Sequence, residues 1–242
     1  MKTIVNTVVT AALLLAGVSA KAQIMGYESP VQMPQMGIFG GFAQQQYLNS
    51  LQSMAELGRQ LSAIIPSYHK AAKAEYDKRN YDGCISIIDN FLDNQTIYKI
   101  LLSYYSPLFY LRGCAYISKD PYNDYNIANA IYDFKSANEG GNAQAQNYLN
   151  DIFGYLAKRA VSELQDKNYS KCINTIEMAY STDVSDPTLW LVKGDAFVGL
   201  HDFKQGKACY KTARKAGLNQ QAQAKLNELK IVVKEFNSKK AD

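Results

Sequence analysis

Histidine, tryptophan and proline are scarce in this chain, and charge of neither sign dominates. Two histidines, one tryptophan and six prolines occur among 242 residues. His69 and His201 stand apart from any metal-spaced or nucleophile-bearing cluster, so neither a zinc centre nor a triad-type active site is expected. The 26 basic and 22 acidic residues give a net charge of +4, which excludes the strongly basic surface that nucleic-acid binding requires.

Glycine-rich phosphate loops are missing as well. Gly140-Gly141 lies between helical segments and is interpreted as a turn, and Gly40-Gly41 belongs to an irregular N-terminal stretch. The acidic residues Asp120, Asp124 and Asp133 are scattered rather than clustered. The sequence therefore predicts no cofactor, no bound metal and no enzymatic activity.

The one long apolar run lies at the N-terminus. A positive start at Met1-Lys2, the mostly apolar residues 4–18 and the small-residue site Ala20-Lys21-Ala22 are typical of a secretory signal. The alternative is a membrane anchor, but the run is shorter than the roughly 20 residues that span a bilayer. We therefore interpret residues 1–22 as a cleaved signal peptide and expect export to the periplasm or cell surface of a Gram-negative bacterium. After that cleavage no membrane span is expected.

Residues 23–50 differ in composition from the rest of the chain. They are rich in Gln, Met, Gly and Pro, carry almost no charge and show no sustained periodicity. Such a segment lacks the apolar face that would offset its ordering entropy. It is interpreted as a flexible arm, and the alternative is that its "MGIFGGF" stretch docks on a partner or on the chain's own groove.

Helical periodicity begins after the arm and continues to the end of the chain. Apolar residues recur at three- and four-residue spacing in several segments, and no segment alternates as a strand over six residues. The clearest segments are 51–65, 68–78, 155–167 and 222–236. The sequence therefore predicts an all-α fold over residues 51–242.

Two patterns each occur twice. "NYDGCISII" begins at Asn80 and "NYSKCINTI" at Asn168, while "LFYLRGCAY" begins at Leu108 and "LWLVKGDAF" at Leu189. Two kinds of segment that recur in the same order indicate a duplicated unit, each copy holding two helix pairs. Asn80 and Asn168 are expected to cap the helices that follow them.

The segment that begins at Trp190 resembles a tetratricopeptide repeat. The pattern Trp190-x3-Gly194-x2-Phe197-x5-Phe203-x2-Gly206-x3-Tyr210-x2-Ala213 matches the aromatic and small positions of that family. In this register Tyr81, Cys84, Ile88 and Phe91 match the second half of a repeat, as do Tyr169, Cys172, Ile176 and Ala179. A further repeat opens at Phe109, Gly113 and Tyr116 and closes at Ala130, Phe134 and Ala137 after the insertion "SKDPYNDY".

The resemblance implies a right-handed α-α superhelix, a solenoid of about four helix pairs. The expected repeats are 68–95, 106–140, 153–183 and 187–219, preceded by a helix near 51–65. A C-terminal helix over 220–237 is expected to cap the stack, because solenoid ends need a polar outer face.

The four cysteines lie inside helical patterns without CxxC spacing. Cys84, Cys114, Cys172 and Cys209 are interpreted as buried free thiols, since the domain is large enough to build a core without disulfides. A bridge between Cys84 and Cys114 is the alternative.

The resemblance also implies a function. First helices of stacked pairs line a concave groove, which in this family receives an extended or helical peptide. The groove positions carried over are Tyr110, Cys114 and Ile117 in one repeat and Leu191, Asp195 and Val198 in the other. This implies a noncatalytic scaffold that binds a protein or peptide, unless the N-terminal arm or the next helix covers these residues.

A carbohydrate-binding module is the alternative. The tyrosine-rich stretch "YYSPLFY" from Tyr104 to Tyr110 suits a glycan if its rings project outward together, whereas burial of the rings favours the protein scaffold.

Overall fold

The structure, a computed structural model, describes residues 38–93 and 101–241. Within these ranges all regular structure is helical, as the sequence predicts. The signal peptide, residues 23–37 of the expected arm and residues 94–100 lie outside the described residues. The helices are α1 (Ile38–Asp77), α2 (Tyr81–Leu92), α3 (Leu102–Lys119), α4 (Asp124–Glu139), α5 (Ala143–Gln165), α6 (Tyr169–Tyr180), α7 (Thr188–Gly199), α8 (Phe203–Lys215) and α9 (Asn219–Ala241).

Consecutive helices form four antiparallel pairs, α1–α2, α3–α4, α5–α6 and α7–α8. Each pair also packs on the next, and α9 packs on α8 and α7. Among the first helices of the pairs, α1 contacts α3 and α5 contacts α7. The expected all-α solenoid of stacked pairs is therefore confirmed, with the additional C-terminal helix at its end.

Glycines set the distance between helices within two of the pairs. A Cβ atom on Gly113 of α3 would lie 2.9 Å from the Phe134 ring of α4. A Cβ on Gly194 of α7 would overlap the Tyr210 ring of α8. In each of these pairs, the small residue of the sequence pattern on the first helix therefore packs directly against an aromatic residue on the second helix.

The turns of the first, third and fourth pairs share one backbone conformation. Arg79, Lys167 and His201 have φ angles of 62°, 61° and 61°. In each case the next residue donates its N–H to the carbonyl five residues back, for example Asn80 to Glu75 at 2.9 Å. This is the Schellman arrangement with a left-handed residue at C′. The repeated Asn-Tyr pattern thus marks the junction of a C-cap with the following helix.

The expected capping role holds for Asn80 but not for Asn168. The Asn80 side chain accepts a hydrogen bond from the Gly83 backbone N–H at 3.1 Å. Asn168 makes no side-chain cap hydrogen bond. The Asn168 backbone N–H still donates to the Glu163 carbonyl, as in the Schellman arrangement. The two turns therefore share a backbone conformation but differ in side-chain capping. In the fourth pair Asp202 takes this position and accepts from the Gln205 N–H.

The N-terminal helix differs from the sequence prediction in its length. Residues 38–50, expected to belong to an irregular arm, are the first turns of α1, and the helix runs on through Pro66 to Asp77. The expected helix at 51–65 and the first helix of the first repeat are thus one element. Leu61, Ile65 and Ala72 are buried against the same core, so packing on both sides of Pro66 holds the helix continuous despite the missing hydrogen bond.

The core extends through the stack. One cluster of buried residues runs from Leu61 of α1 to Ala196 of α7. A smaller cluster at the C-terminal end joins Tyr210 of α8 to Leu226 and Leu229 of α9. The second cluster shows that the observed last helix covers the apolar end of the fourth pair, as the sequence predicts for the segment 220–237.

Candidate functional site

The six predicted groove residues lie on two equivalent stripes of the first helices. Tyr110, Cys114 and Ile117 follow one face of α3, and Leu191, Asp195 and Val198 follow the corresponding face of α7. All six are buried or partly buried. Their spacing relative to the packing residues Gly113 and Gly194 is the same, so the two stripes occupy equivalent positions in their pairs.

The stripe on α3 faces α5. The Tyr110 ring meets the Tyr148 ring edge-on, with centroids 5.8 Å apart, and Tyr148 stacks on Phe134 at 4.6 Å. Cys114 lies near both hydroxyls and contributes to the raised pKa values of Tyr110 and Tyr148. The result is a hydroxyl-rich cluster between the first helices of the second and third pairs.

The stripe on α7 is covered by the C-terminal helix. Leu191 and Val198 pack on the cluster formed by Tyr210, Leu226 and Leu229. Asp195 accepts a hydrogen bond from the Tyr210 hydroxyl at 2.7 Å and pairs with Lys225 at 3.1 Å. The next helix, α9, therefore covers this half of the predicted site. Leu191 and Val198 pack against the C-terminal end of the solenoid, and Asp195 forms an ion pair there.

A third stripe, on α5, was missed by the sequence reasoning because its repeat lacks the aromatic and glycine signature. Ala160 is fully buried at the place of Gly113 and Gly194. The same spacing around it identifies Ala157, Val161 and Leu164. Ala157 and Leu164 are partly buried against the core, whereas Val161 is 39% exposed. Of the stripes on α3, α5 and α7, only the one on α5 therefore presents an exposed aliphatic side chain.

The corresponding stripe of α1 is polar. Around the buried Ala72 it comprises His69, Lys73 and Tyr76. Tyr76 shares a hydrogen bond with Ser118 of α3 at 3.0 Å, and Lys73 pairs with Asp77. The pKa of His69 is lowered by burial and by Lys73, so this histidine is neutral at physiological pH. We call the four stripes on α1, α3, α5 and α7 the first-helix row.

The middle of the first-helix row is uncharged. No Asp, Glu, Lys or Arg occurs in the stripes of α3 and α5. Burial raises the pKa values of Tyr110 and Cys114. The pKa of Tyr148 is raised by the neighbouring Cys114 and by burial. These hydroxyl and thiol groups stay protonated at neutral pH, and they offer hydrogen bonds without charge.

All four cysteines are free and buried. Burial raises the pKa of Cys84 and of Cys172 to about 11, so neither is a reactive thiolate. The interpretation as buried thiols is confirmed. Among the described residues, no group of three or more His, Cys, Asp or Glu side chains is placed to hold a metal ion.

The tyrosine-rich stretch before α3's midpoint does not form an outward aromatic face. Tyr105 and Phe109 are fully buried and Tyr110 is partly buried, which leaves Tyr104 as the exposed ring. In residues 38–93 and 101–241, no helix combines the length and apolar content that a membrane span needs.

These contacts define the class of protein: an all-α solenoid of stacked helix pairs. No family model matches the chain, and a comparison with curated proteins found no match. A solved structure with some similarity is the TPR2AB-domain:pHSP90 complex of yeast Sti1, at 16% identity and a TM-score of 0.34 over 83% of this chain and 81% of that chain. Because this TM-score is low, the class rests on the helix pairs and their contacts described above.

Proposed function

We propose that this protein is a noncatalytic exported scaffold that holds a protein or peptide partner in a concave groove formed by its first-helix row, and that it serves the assembly of an envelope complex. The observation that carries the proposal is the α5 stripe. Val161 is exposed on α5, the helix whose Tyr148 meets Tyr110 of α3. A helix that carries both an exposed aliphatic residue and neutral hydrogen-bonding groups suits an extended peptide.

The charge of the row indicates the kind of peptide. Basic clamps for terminal carboxylates need Lys or Arg side chains in the groove, and the α3 and α5 stripes have none. The cation at the start of the row, Lys73, is already paired with Asp77. We therefore expect an internal segment with small apolar and hydroxyl side chains rather than a free acidic C-terminus.

The test uses a charge placed in the middle of the row and a matched control. Val161→Asp puts a carboxylate at the exposed position on α5. Val232→Asp makes the same change on α9, where Val232 is 37% exposed. Recombinant protein from Gln23 with a photo-crosslinking residue at position 157 is added to envelope extract, and the crosslinked product is identified by mass spectrometry.

We expect one partner to crosslink at position 157, to be reduced at least about tenfold by Val161→Asp and to be unaffected by Val232→Asp, because a desolvated unpaired carboxylate costs the complex more than 1 kcal/mol. Equal losses in both variants would contradict the groove. So would a partner that is retained by Val161→Asp.

A further inference from the structure

On the other side of α3, one face of the helix lies between α2 and α4. Both helices pack on α3, and the α3 face between them carries Phe109, Arg112 and Tyr116. Phe109 and Tyr116 are buried, and Arg112 stacks on the Phe109 ring with its guanidinium carbon 5.7 Å from the ring centre. We call these three residues the aromatic and cationic floor. None of them belongs to the first-helix row.

The guanidinium of Arg112 joins α2 to α4. It donates to Asp133 of α4 through Nε at 2.9 Å and Nη2 at 2.7 Å, and to Asp89 of α2 through Nη1 at 2.5 Å. The Asp133 side chain is 1% exposed, whereas that of Asp89 is 38% exposed. The arginine is thus fixed in place, and the Asp89 carboxylate keeps lone pairs directed to solvent.

Two tyrosines of α4 stand above this floor. Tyr125 and Tyr132 are 69% and 61% exposed. Their rings meet Tyr116 and Phe109 edge-on, with centroids 6.4 Å apart in both pairs. An edge-on contact holds each ring while leaving much of its surface open. We call the six residues Asp89, Phe109, Arg112, Tyr116, Tyr125 and Tyr132 the outer cleft.

The composition of the outer cleft favours a sugar over an apolar peptide. Along α4 and the loop before it, the exposed large hydrophobic side chains are all tyrosines, and none is aliphatic. Tyrosine rings stack on the C–H faces of pyranose rings, while a planar carboxylate such as Asp89 accepts hydrogen bonds from paired hydroxyls. A hydrophobic protein anchor would instead need an aliphatic pocket.

The spacing of the tyrosines also fits a sugar chain. Tyr125 and Tyr132 are two helical turns apart, about 10 Å along the axis of α4 at roughly 1.5 Å per residue. That distance is the length of two pyranose units, so it matches a sugar unit and the next but one in an extended oligosaccharide. Each ring can therefore face one unit of the same chain.

We propose that the outer cleft is a binding site for a neutral oligosaccharide, in which Tyr125 and Tyr132 stack on alternate sugar units and Asp89 accepts hydrogen bonds from the sugar hydroxyls. This site is separate from the first-helix row, and it gives the scaffold a second, carbohydrate ligand.

Affinity gel electrophoresis of the whole protein tests the site, with xylan, mannan, cellulose-derived β-glucan and starch as probes in separate gels. We expect retardation by at least one of these polysaccharides. The double variant Tyr125→Ala/Tyr132→Ala should weaken that retardation at least about tenfold, because two stacking contacts are lost. Tyr132→Phe should retain most of it, since the ring face remains.

Tyr122→Ala is the matched control. Tyr122 is 72% exposed and lies in the loop before α4, but its ring packs on Tyr155 of α5 rather than over the floor of the cleft. Its loss should leave retardation within about twofold, as should Val232→Asp on α9. The proposal is overturned if none of the four polysaccharides retards the protein, or if retardation survives in the double variant. A protein partner that depends on Tyr132 in the absence of any polysaccharide binding would overturn it too.

Discussion

At the scale of single residues, small side chains decide how closely paired helices approach. Gly113 and Gly194 lie directly against aromatic rings of the second helices, so a methyl group has no room at either place. Gly154 of α5 is different, because a Cβ there would meet nothing within 4 Å.

The comparison of two glycine variants gives a direct test. Gly113→Ala should destabilise the protein by about 1–3 kcal/mol, because the Phe134 ring must move. Gly154→Ala should stabilise it by up to about 1 kcal/mol, since alanine is the better helix former. Urea unfolding followed by circular dichroism measures both. Equal effects of the two substitutions would show that Gly113 is not a packing residue.

Some features of single residues could be predicted from the sequence, and others could not. That Gly194 and Tyr210 occupy the small and aromatic positions of one repeat followed from their spacing, which is local to one helix pair. The different behaviour of Asn80 and Asn168 did not. Both begin the same Asn-Tyr motif, but whether a side chain reaches the first free N–H depends on its rotamer, which a motif does not determine.

At the scale of helices, the buried ion cluster joins α2, α3 and α4. Burial raises the pKa of Asp133 to about 6, against the opposing effect of Arg112. Arg112→Leu would leave this carboxylate buried without its cation, and we expect a loss of about 3–5 kcal/mol at neutral pH. Because the folded-state pKa is above the unfolded value, the folded protein binds the proton more tightly, and the variant should gain stability as the pH falls from about 7 to about 5.

Unfolding midpoints at several pH values measure this effect. Arg112→Leu/Asp133→Leu is the companion variant: it removes both partners and should recover much of the lost stability, without the gain at low pH. An Arg112→Leu variant that loses stability on acidification would show that Asp133 does not titrate in this way.

The helices differ in how well the sequence predicted them. Helices α6 to α8 follow from the spacing of apolar and small residues, which repeats because each pair packs on the next. The continuous α1 did not follow, since Pro66 and the Gln-rich, aperiodic residues before 51 both indicate a break. Contacts of Leu61, Ile65 and Ala72 with distant helices outweigh the local signal, and periodicity within a single segment does not contain that information.

At the scale of the whole molecule, α9 closes the stack. Leu226 and Leu229 are buried against Tyr210, while Ile231 on the same helix is exposed. Leu226→Asp should lower the melting temperature by several degrees, because a charge is placed in the terminal cluster. The same change at Ile231 should have little effect, and thermal unfolding with size-exclusion chromatography compares the two. Similar losses in both variants would mean that α9 is not docked through Leu226.

The candidate site could also be predicted only in part, because some of its contacts join helices that are distant in the sequence. The sequence identified equivalent stripes on α3 and α7, because both repeats have a recognisable glycine. It did not identify the stripe around Ala160 or the outer cleft. Each depends on which helix lies beside which, and Arg112 is joined to Asp89 and Asp133 only once α2 and α4 are both placed on α3.

The length of α1 has a mechanical consequence. Forty residues in one helix extend for about 60 Å at roughly 1.5 Å per residue, and residues of this helix pack on the core from Met54 onward. The sixteen residues before Met54 extend for roughly 24 Å. Any surface or complex attached near Ile38 would be held at that distance from the first helix pair, which would leave both faces of the solenoid accessible.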